Sequence, residues 1–127
     1  KRRGLKLVII TNTTVSREEQ VREALRKIDA EKYFDIIVTS LDVGHEKPDE
    51  RIFITALRRV RVKPKEAVMV GNRVSTDIVG GNRVGMKTIL LKWNQRYPEK
   101  ITSLEEHPTR TISSLKELPR VIEELGK

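Results

Sequence analysis

Short apolar runs alternate with amphipathic stretches along the whole chain, and this alternation predicts the secondary structure. The stretches between the runs carry apolar residues at helical spacing. The runs predict strands at residues 5–11, 36–40, 67–70 and 87–91, with a last edge strand at 109–113. Strands that alternate with helices are typical of a parallel sheet whose faces are covered by helices. The pattern therefore predicts an α/β fold that occupies residues 1–127 as a single domain.

Two helix starts can be predicted from local signals. Ser16-x-x-Glu19 has the form of a capping box, which predicts that a helix begins at Ser16. Pro48 suits the first turn of the next helix, because its missing N–H group is not needed there. Further along, residues 75–83 predict a helix that ends at Gly85.

The helix after Pro48 has the clearest apolar face in the chain, and the last helix has a shorter one. The first face consists of Ile52, Phe53, Ala56, Leu57 and Val60. The final helix runs to about residue 125 and is expected to turn Leu118, Ile122 and Leu125 inward. Residues 93–108 are polar with two prolines and predict a surface loop or a short helix. These faces predict the fold and carry no information on activity.

Composition narrows the class of protein. With 127 residues and 37% hydrophobic content, the chain has the size of one domain. It has no cysteine, which excludes disulfides and thiolate metal sites and favours a cytoplasmic location. No apolar run has the length of a membrane helix, and no signal-type core follows the first basic residues. We therefore expect no membrane association.

The charge of the chain is strongly positive, at +8. A net positive charge of this size is compatible with a nucleic-acid partner. However, charges of both signs alternate along the predicted helices, and no basic block is interleaved with aromatic residues. We therefore expect no nucleic-acid binding. Enrichment in Lys, Arg and Glu also fits a protein from a hot environment.

Candidate chemistry lies where the predicted strands end. Thr11 and Asn12 close the first strand, Lys47 lies in the loop after the second, and Asn72 and Asp77 follow the third. Ligands of an α/β sheet bind beyond the carboxyl ends of its strands. We therefore expect these side chains to surround one anion at the same edge of the sheet.

This ordered trio, a hydroxyl, a lysine and an Asn/Asp pair, resembles the second, third and fourth motifs of the haloacid dehalogenase-like (HAD) hydrolase superfamily. The resemblance covers roughly residues 5–91 and includes the string Lys47-Pro48-Asp49, followed by Arg-Ile-Phe. It implies a three-layer α/β/α Rossmann-like parallel sheet and a phosphatase that works through an aspartyl-phosphate intermediate. The first motif of that family, a strand ending in Asp-x-Asp with the nucleophile, does not occur before Thr11.

The resemblance also implies a role for each candidate residue. Thr11 and backbone N–H groups near Asn12 would bind the phosphoryl oxygens of a small phosphorylated substrate, and Lys47 would neutralise their charge. Asn72 and Asp77 would hold Mg²⁺. Phosphatases of this family usually have Gly-Asp, four intervening residues and a second acid, so Asn72 replaces a carboxylate by a neutral amide. We expect weaker metal binding as a result.

Two alternatives stay open at this point. Metal-independent 2-haloacid dehalogenases of the superfamily also carry an Asn in this motif, but three positions before the Asp, whereas Asn72 and Asp77 are five positions apart. The second alternative is a catalytically inactive α/β binding module, suggested by Asn72 and the missing nucleophile. His45 and His107 have no neighbours at metal-ligand spacing and are given no role.

The missing first motif also affects the expected sheet. By resemblance, its strand would lie between the strand ending at Thr11 and the strand ending at Val70. Without it the sheet is incomplete and two strand edges lack partners. We expect a C-terminal core portion of a longer enzyme without the cap domain, half of a split protein, or a homodimer that completes the sheet by exchange.

Overall fold

The computed structural model describes residues 5–92 and 101–126. These residues form two compact units, and the boundary between the units falls between Val62 and Lys63. Each unit combines parallel strands with helices, which confirms the predicted α/β fold. The assignment of residues 1–127 to one domain stays a prediction. Across both described ranges, every helix is too short or too polar to cross a bilayer.

The described residues of the N-terminal unit form two strands and three helices. They are β1 (Val8–Thr11), α1 (Glu18–Lys27), β2 (Ile36–Thr39), α2 (Ser40–Val43) and α3 (Glu50–Val60), with a 3₁₀ turn at Glu31–Tyr33. β1 pairs with β2 in parallel, in a register that puts Thr11 opposite Thr39. α3 packs on both strands and α1 packs on β2. The loops that follow the two strands therefore begin side by side.

The apolar face of α3 confirms the sequence prediction, whereas the predicted start of this helix was too early. All five residues of the face are buried: Ile52, Phe53, Ala56, Leu57 and Val60. The helix begins at Glu50 rather than at Pro48, because the Asp49 carboxylate accepts a hydrogen bond from the Arg51 N–H group at 2.9 Å and acts as the N-cap. Pro48 lies just before the cap.

The start of α1 also differs from the prediction, because a residue from another element fixes it. The Glu18 N–H group donates to Asp42 Oδ2 at 2.8 Å, and the Arg17 guanidinium donates to Asp42 Oδ1 at 3.1 Å. The Ser16 N–H group instead donates to the Thr13 hydroxyl at 3.0 Å. The helix therefore begins at Glu18, and the predicted capping box at Ser16 does not form.

In the part of the C-terminal unit that the structure describes, three strands form a parallel sheet. Its elements are β3 (Val68–Gly71), α4 (Val79–Arg83), β4 (Lys87–Leu91), β5 (Arg110–Ile112) and α5 (Leu118–Leu125). The order of the described strands is β3-β4-β5, so β5 lies at the edge of this described sheet, as predicted. A π-helical turn at Val74–Ile78 precedes α4, and 3₁₀ turns lie at Pro64–Glu66, Leu104–Glu106 and Leu115–Glu117.

Two apolar clusters cover the two faces of β4. Successive residues of a strand point to opposite faces, so Ile89 and Leu90 belong to different clusters. Leu90 packs with Val74 and Ile78 from the π-helical turn. Ile89 packs with Ile112 of β5 and with the apolar face of α5, which includes Val121 and the predicted Leu118, Ile122 and Leu125. Helical segments therefore cover both faces of this sheet.

The polar segment between β4 and β5 is attached to α4 by the side chain of Asn82. Its Nδ2 atom donates to the Glu105 and His107 carbonyl oxygens, both at 2.8 Å, while its Oδ1 atom accepts from the Thr88 hydroxyl at 3.0 Å. The predicted loop or short helix of residues 93–108 contains one 3₁₀ turn in its described part. Residues 93–100 of that prediction lie outside the described residues.

Asp42 should make the stability of the protein depend on acidic pH. The hydrogen bond from the Thr39 hydroxyl, at 2.7 Å, and the bonds from Glu18 and Arg17 lower the pKa of Asp42 below its usual value of 3.8. A lowered pKa in the folded state means that this stabilisation is complete above the unfolded-state pKa and is lost as the pH falls through the folded-state pKa. We expect Asp42→Asn to reduce the free energy of unfolding by about 1 kcal/mol at pH 7, and the difference to disappear at low pH.

Chemical denaturation of both proteins between pH 7 and pH 2 checks this expectation. Asp29→Asn is the matched control, because the Asp29 side chain is 84% exposed. It should change the free energy of unfolding by less than about 0.5 kcal/mol at any pH. A difference between Asp42→Asn and the original protein that persists unchanged to pH 2 would contradict the assignment.

Candidate functional site

The three candidate residues of the N-terminal unit lie together at the carboxyl ends of β1 and β2. We call Thr11, Asn12 and Lys47 the lysine cluster. Thr11 is the last residue of β1 and is half-buried. Among the described residues, none accepts a hydrogen bond from its hydroxyl. The Thr11 hydroxyl can therefore donate to a ligand oxygen at the strand end.

The Asn12 side chain connects the loop after β1 with the loop that carries Lys47. Its Oδ1 atom accepts a hydrogen bond from the Lys47 N–H group at 2.8 Å, and its Nδ2 atom donates to the Lys47 carbonyl oxygen at 3.2 Å. The Lys47–Pro48 peptide bond is cis. Both polar atoms of one side chain thus contact the backbone of a single residue, 35 positions away.

The Lys47 side chain extends from this loop towards the end of β1. Its ammonium group donates to the Ile10 carbonyl oxygen at 3.0 Å. Ile10 directly precedes Thr11, so the cation lies beside the last peptide group of the strand. An ammonium ion is a compact point charge with several donors, and it can bind an anion while it keeps this bond.

Ser40 holds the loop after β1 in a second place. Its hydroxyl accepts from the Thr13 N–H group at 2.8 Å and donates to the Thr13 carbonyl oxygen at 2.9 Å. Ser40 is buried at the start of α2. Because Thr13 follows Asn12 directly, Ser40 fixes the course of the chain beyond the lysine cluster.

His45 and Asp49 lie near Lys47 in sequence, but their geometry points to local structure. Arg51 donates to the Asp49 carboxylate with its side chain at 2.7 and 3.0 Å, and this pairing is the main cause that lowers the pKa of Asp49. The His45 Nδ1 atom is 3.9 Å from the same carboxylate. Asp49 therefore acts as a helix cap that is paired with Arg51.

The candidate residues of the C-terminal unit follow β3. We call Asn72 and Asp77 the aspartate cluster. Asn72 is exposed on the loop after β3, whereas Asp77 lies in the π-helical turn and is only 5% exposed. The Ile78 N–H group donates to the Arg73 carbonyl oxygen at 3.3 Å, which is the wide hydrogen bond of a π-helix. Such turns are frequent at functional sites.

The Asp77 carboxylate lies directly against Gly71, the last residue of β3. A Cβ atom added at Gly71 would be 2.2 Å from Asp77 Oδ2 and 2.4 Å from its Cγ. The Arg73 N–H group donates to the same Oδ2 atom at 3.3 Å. Only glycine leaves room for the carboxylate in this position, so Gly71 determines where Asp77 can lie.

The oxygen atoms of the aspartate cluster suit a hard divalent cation. Mg²⁺ prefers carboxylate and carbonyl oxygens and usually keeps several water ligands. Asp77 supplies a carboxylate and Asn72 an amide oxygen, both next to the end of β3. Within residues 5–92 and 101–126, no three His, Asp or Glu side chains converge on one metal position. The two residues therefore fit as a partial ligand set.

The structure thus brings the sequence-predicted residues together as two groups, one in each unit. Lys47 contacts Ile10 and Asn12, the residues on either side of Thr11, and Asn72 lies in the loop that leads to the turn with Asp77. That both groups serve one site stays a prediction. Sequence reasoning missed the close contact of Gly71 with Asp77, although Gly71 ends an apolar run. It also missed the contacts by which Ser40 holds the loop after β1 at Thr13, outside the lysine cluster.

Gly71→Ala should displace Asp77 and destabilise the protein. The added methyl group cannot fit beside the carboxylate, so the turn has to move, and overpacking of this kind costs about 1–3 kcal/mol. The matched control is Gly126→Ala at the end of α5, where an added Cβ would lie 3.5 Å from the nearest atom. Thermal unfolding should show a lowered midpoint for Gly71→Ala only. Equal midpoints for both variants would contradict the close contact.

The chain resembles known proteins of one family over most of its length. The profile described as haloacid dehalogenase-like hydrolase matches residues 1–91. The chain is 36% identical over 124 residues to the glyceraldehyde 3-phosphate phosphatase of Methanopyrus kandleri, and this match covers 98% of the chain and 52% of the relative. The chain spans about half or less of the length of the first curated relatives that it matches.

Solved structures of the same family share the fold. The crystal structure of a HAD phosphatase from Thermococcus onnurineus matches with a TM-score of 0.77 and 32% identity, over 94% of this chain and 51% of that one. A 2-haloacid dehalogenase from Pseudomonas syringae pv. tomato matches with a TM-score of 0.76 and 31% identity, over 94% and 47%. These matches confirm the resemblance inferred from the motifs, and the chain belongs to the haloacid dehalogenase-like hydrolase family.

Proposed function

We propose that this chain is part of a Mg²⁺-dependent phosphatase that hydrolyses a small phosphorylated metabolite through an aspartyl-phosphate intermediate. The nucleophilic aspartate would lie outside the chain. The placement of the Lys47 ammonium group beside the end of β1, 3.0 Å from the Ile10 carbonyl oxygen, is the observation that carries this proposal. A cation at that position suits an anionic substrate that binds beyond the strand ends.

In this proposal the lysine cluster binds the phosphoryl group. Phosphoryl transfer spreads negative charge over the equatorial oxygens, so positioned donors and cations lower its barrier. The Lys47 ammonium group would neutralise that charge. The Thr11 hydroxyl would donate a hydrogen bond to one oxygen, and the Asn12 backbone N–H group would donate to another.

The aspartate cluster would hold the metal. Asp77 would bind Mg²⁺ through its carboxylate, and Asn72 would contribute its amide oxygen without adding charge. The ion would supply electrostatic stabilisation of the phosphoryl oxygens. The neutral Asn72 in a position where the family usually has an aspartate supports weaker metal binding than a second carboxylate would give.

We also propose that a further segment completes the parallel pairing of the strands. Among the described strands, β1 pairs only with β2 and β3 pairs only with β4, so β1 and β3 each keep one edge without a described partner. All four residues of β1 are partly exposed, whereas three of the four in β2 are buried. An upstream segment of the same polypeptide, a separate N-terminal half or a second copy of this chain would cover such an edge.

Several curated relatives suggest a first substrate to test. Three of them are named glyceraldehyde 3-phosphate phosphatase. Another is named ribulose-1,5-bisphosphate 5-phosphatase and is 38% identical over 87 residues. Small phosphorylated sugars are therefore the substrate class that we propose, with glyceraldehyde 3-phosphate as the first compound to assay.

Lys47→Ala should reduce phosphatase activity without unfolding the protein. Loss of one donor that stabilises developing charge typically costs about 100- to 1,000-fold in kcat. The protein to be assayed includes the segment that carries the nucleophile, with Mg²⁺ present. Lys6→Ala is the matched control, because the Lys6 ammonium group also donates to a backbone carbonyl, that of Val60 at 2.8 Å. Equal activity of the two variants would refute the role of Lys47.

The same preparation distinguishes the alternative activities. Because a 2-haloacid dehalogenase is among the similar structures, a second assay should measure halide release from a 2-haloacid. Halide release without added metal, together with no hydrolysis of phosphate esters, would replace the phosphatase proposal by a dehalogenase. Binding of a partner without turnover in either assay would support an inactive binding module.

Asn72→Asp should strengthen metal binding. A second carboxylate adds a full negative charge to the ligand set, and changes around a metal typically alter its affinity by about 10- to 100-fold. We expect the Mg²⁺ concentration for half-maximal activity to fall by at least about tenfold. Titration of activity with Mg²⁺ measures this concentration, and an unchanged value would exclude Asn72 from the metal site.

A further inference from the structure

The lysine of the candidate site lies on a loop without regular secondary structure. This loop connects α2, which ends at Val43, with α3, which begins at Glu50. A loop residue lacks the ladder of hydrogen bonds that fixes a strand, so other contacts have to determine where its side chain begins. At Lys47, both described backbone contacts come from the Asn12 side chain.

The Asn12 side-chain amide bonds to the Lys47 backbone as a peptide group of a neighbouring strand would. Its carbonyl oxygen accepts from the Lys47 N–H group, and its NH₂ group donates to the Lys47 carbonyl oxygen, so the two bonds run in opposite directions. This pairing fixes both the position and the orientation of the Lys47 peptide groups. A carboxylate cannot donate to the carbonyl, and a hydroxyl is shorter than the amide fork. Asn is therefore well suited to this contact.

We propose that Asn12 is a positioning residue for Lys47. Its side chain fixes the Lys47 backbone so that the ammonium group lies beside the end of β1, next to Thr11. This inference rests on the proposed phosphatase function and deepens it. It also separates two roles of Asn12, because the side chain acts on Lys47 while the backbone N–H group keeps its predicted contact with phosphate.

Both ends of the Lys47 residue are tied to the same short segment. Asn12 holds the backbone, and the Ile10 carbonyl oxygen accepts from the ammonium group at 3.0 Å. The flexible stem of the lysine is thus fixed at its two ends by residues on either side of Thr11. Loss of the Asn12 contacts would remove two hydrogen bonds from the Lys47 backbone, one to its N–H group and one to its carbonyl oxygen. The cation would then occupy a range of positions, and a misplacement of about 1 Å can cost about 100-fold in rate.

Ser40, the first residue of α2, provides a matched control because it also contacts the loop after β1. Its hydroxyl also makes two hydrogen bonds to the N–H and carbonyl groups of one residue, Thr13. Ser40→Ala therefore removes as many backbone contacts from the loop after β1 as Asn12→Ala does, but none of them involves Lys47. A purely structural role of Asn12 predicts similar effects of the two substitutions on activity.

A double-mutant cycle in the complete protein tests the proposal, with 4-nitrophenyl phosphate as substrate and Mg²⁺ present. We expect Asn12→Ala to lower kcat by about 100-fold and to change KM much less. In the Lys47→Ala background, Asn12→Ala should change kcat by less than about twofold, because it acts through Lys47. Ser40→Ala should lower the unfolding midpoint and leave kcat within about twofold. If Asn12→Ala does not fold, Asn12→Asp is used in the same cycle, since it keeps the acceptor and loses the donor.

Two kinetic results would overturn the proposal. One is an equal loss of kcat from the Asn12 substitution with and without Lys47, and the other is a loss in Ser40→Ala as large as that in Asn12→Ala. Failure of the proposed function is distinguishable, because the unsubstituted protein would then hydrolyse no phosphate ester. Hydrogen exchange is the readout in that case. Asn12→Ala should accelerate exchange of the Lys47 amide, Ser40→Ala should accelerate that of Thr13, and unchanged exchange at Lys47 would overturn the positioning role.

Discussion

The parallel pairing of β1 with β2 is the constraint on which the lysine cluster depends. Because the two strands run in the same direction and in register, Thr11 and Thr39 end the strands opposite each other. The loops that leave them therefore start at the same level, although 27 residues separate Thr13 from Ser40. An antiparallel pair would have put one of these loops at the other end of the sheet. Without the parallel register, the Asn12 side chain could not reach Lys47.

Short polar side chains fix these loops through hydrogen bonds to the backbone. Asn12, Ser40 and Asp42 each bond to the backbone of a residue that is distant in sequence. Each satisfies backbone groups that have no partner in a strand or helix, and unsatisfied groups of this kind are costly when they are buried. These side chains thus stabilise irregular segments through hydrogen bonds to the backbone.

The sequence predicted those features that depend on local periodicity. The apolar face of α3 and the bounds of β4 were correct, because burial on one face and a continuous apolar run leave a clear pattern. The predicted start of α1 was wrong because the first N–H group of the helix, that of Glu18, donates to Asp42, which belongs to another element. The predicted start of α3 was wrong because Asp49, rather than the residue before Pro48, caps the helix. Long-range contacts of single side chains leave no periodic signal.

The candidate site was predictable in its residue types and unpredictable in its contacts. The hydroxyl, the ammonium group and the two metal-ligand candidates were selected from their positions after predicted strands, and their roles stay predictions. Two contacts could not be predicted: that of Asn12 with the Lys47 backbone and that of Asp77 with Gly71. Both depend on distances of a few ångströms in the folded protein. The π-helical turn was equally hidden, because a helix with one wider hydrogen bond has nearly the same sequence pattern as an ordinary one.

Position and charge of the functional groups are controlled by different residues. Gly71 limits the position of the Asp77 carboxylate. The residue type at position 72 determines whether the proposed metal site has one carboxylate or two. In the N-terminal unit, the Asn12 side chain contacts the N–H group and the carbonyl oxygen of Lys47. A substitution at Asn72 can therefore alter charge without moving Asp77, because its exposed side chain lies outside the tight contact. A substitution at Gly71 or Asn12 would instead change the contacts that position Asp77 or Lys47, and would leave the carboxylate or the ammonium group itself in place.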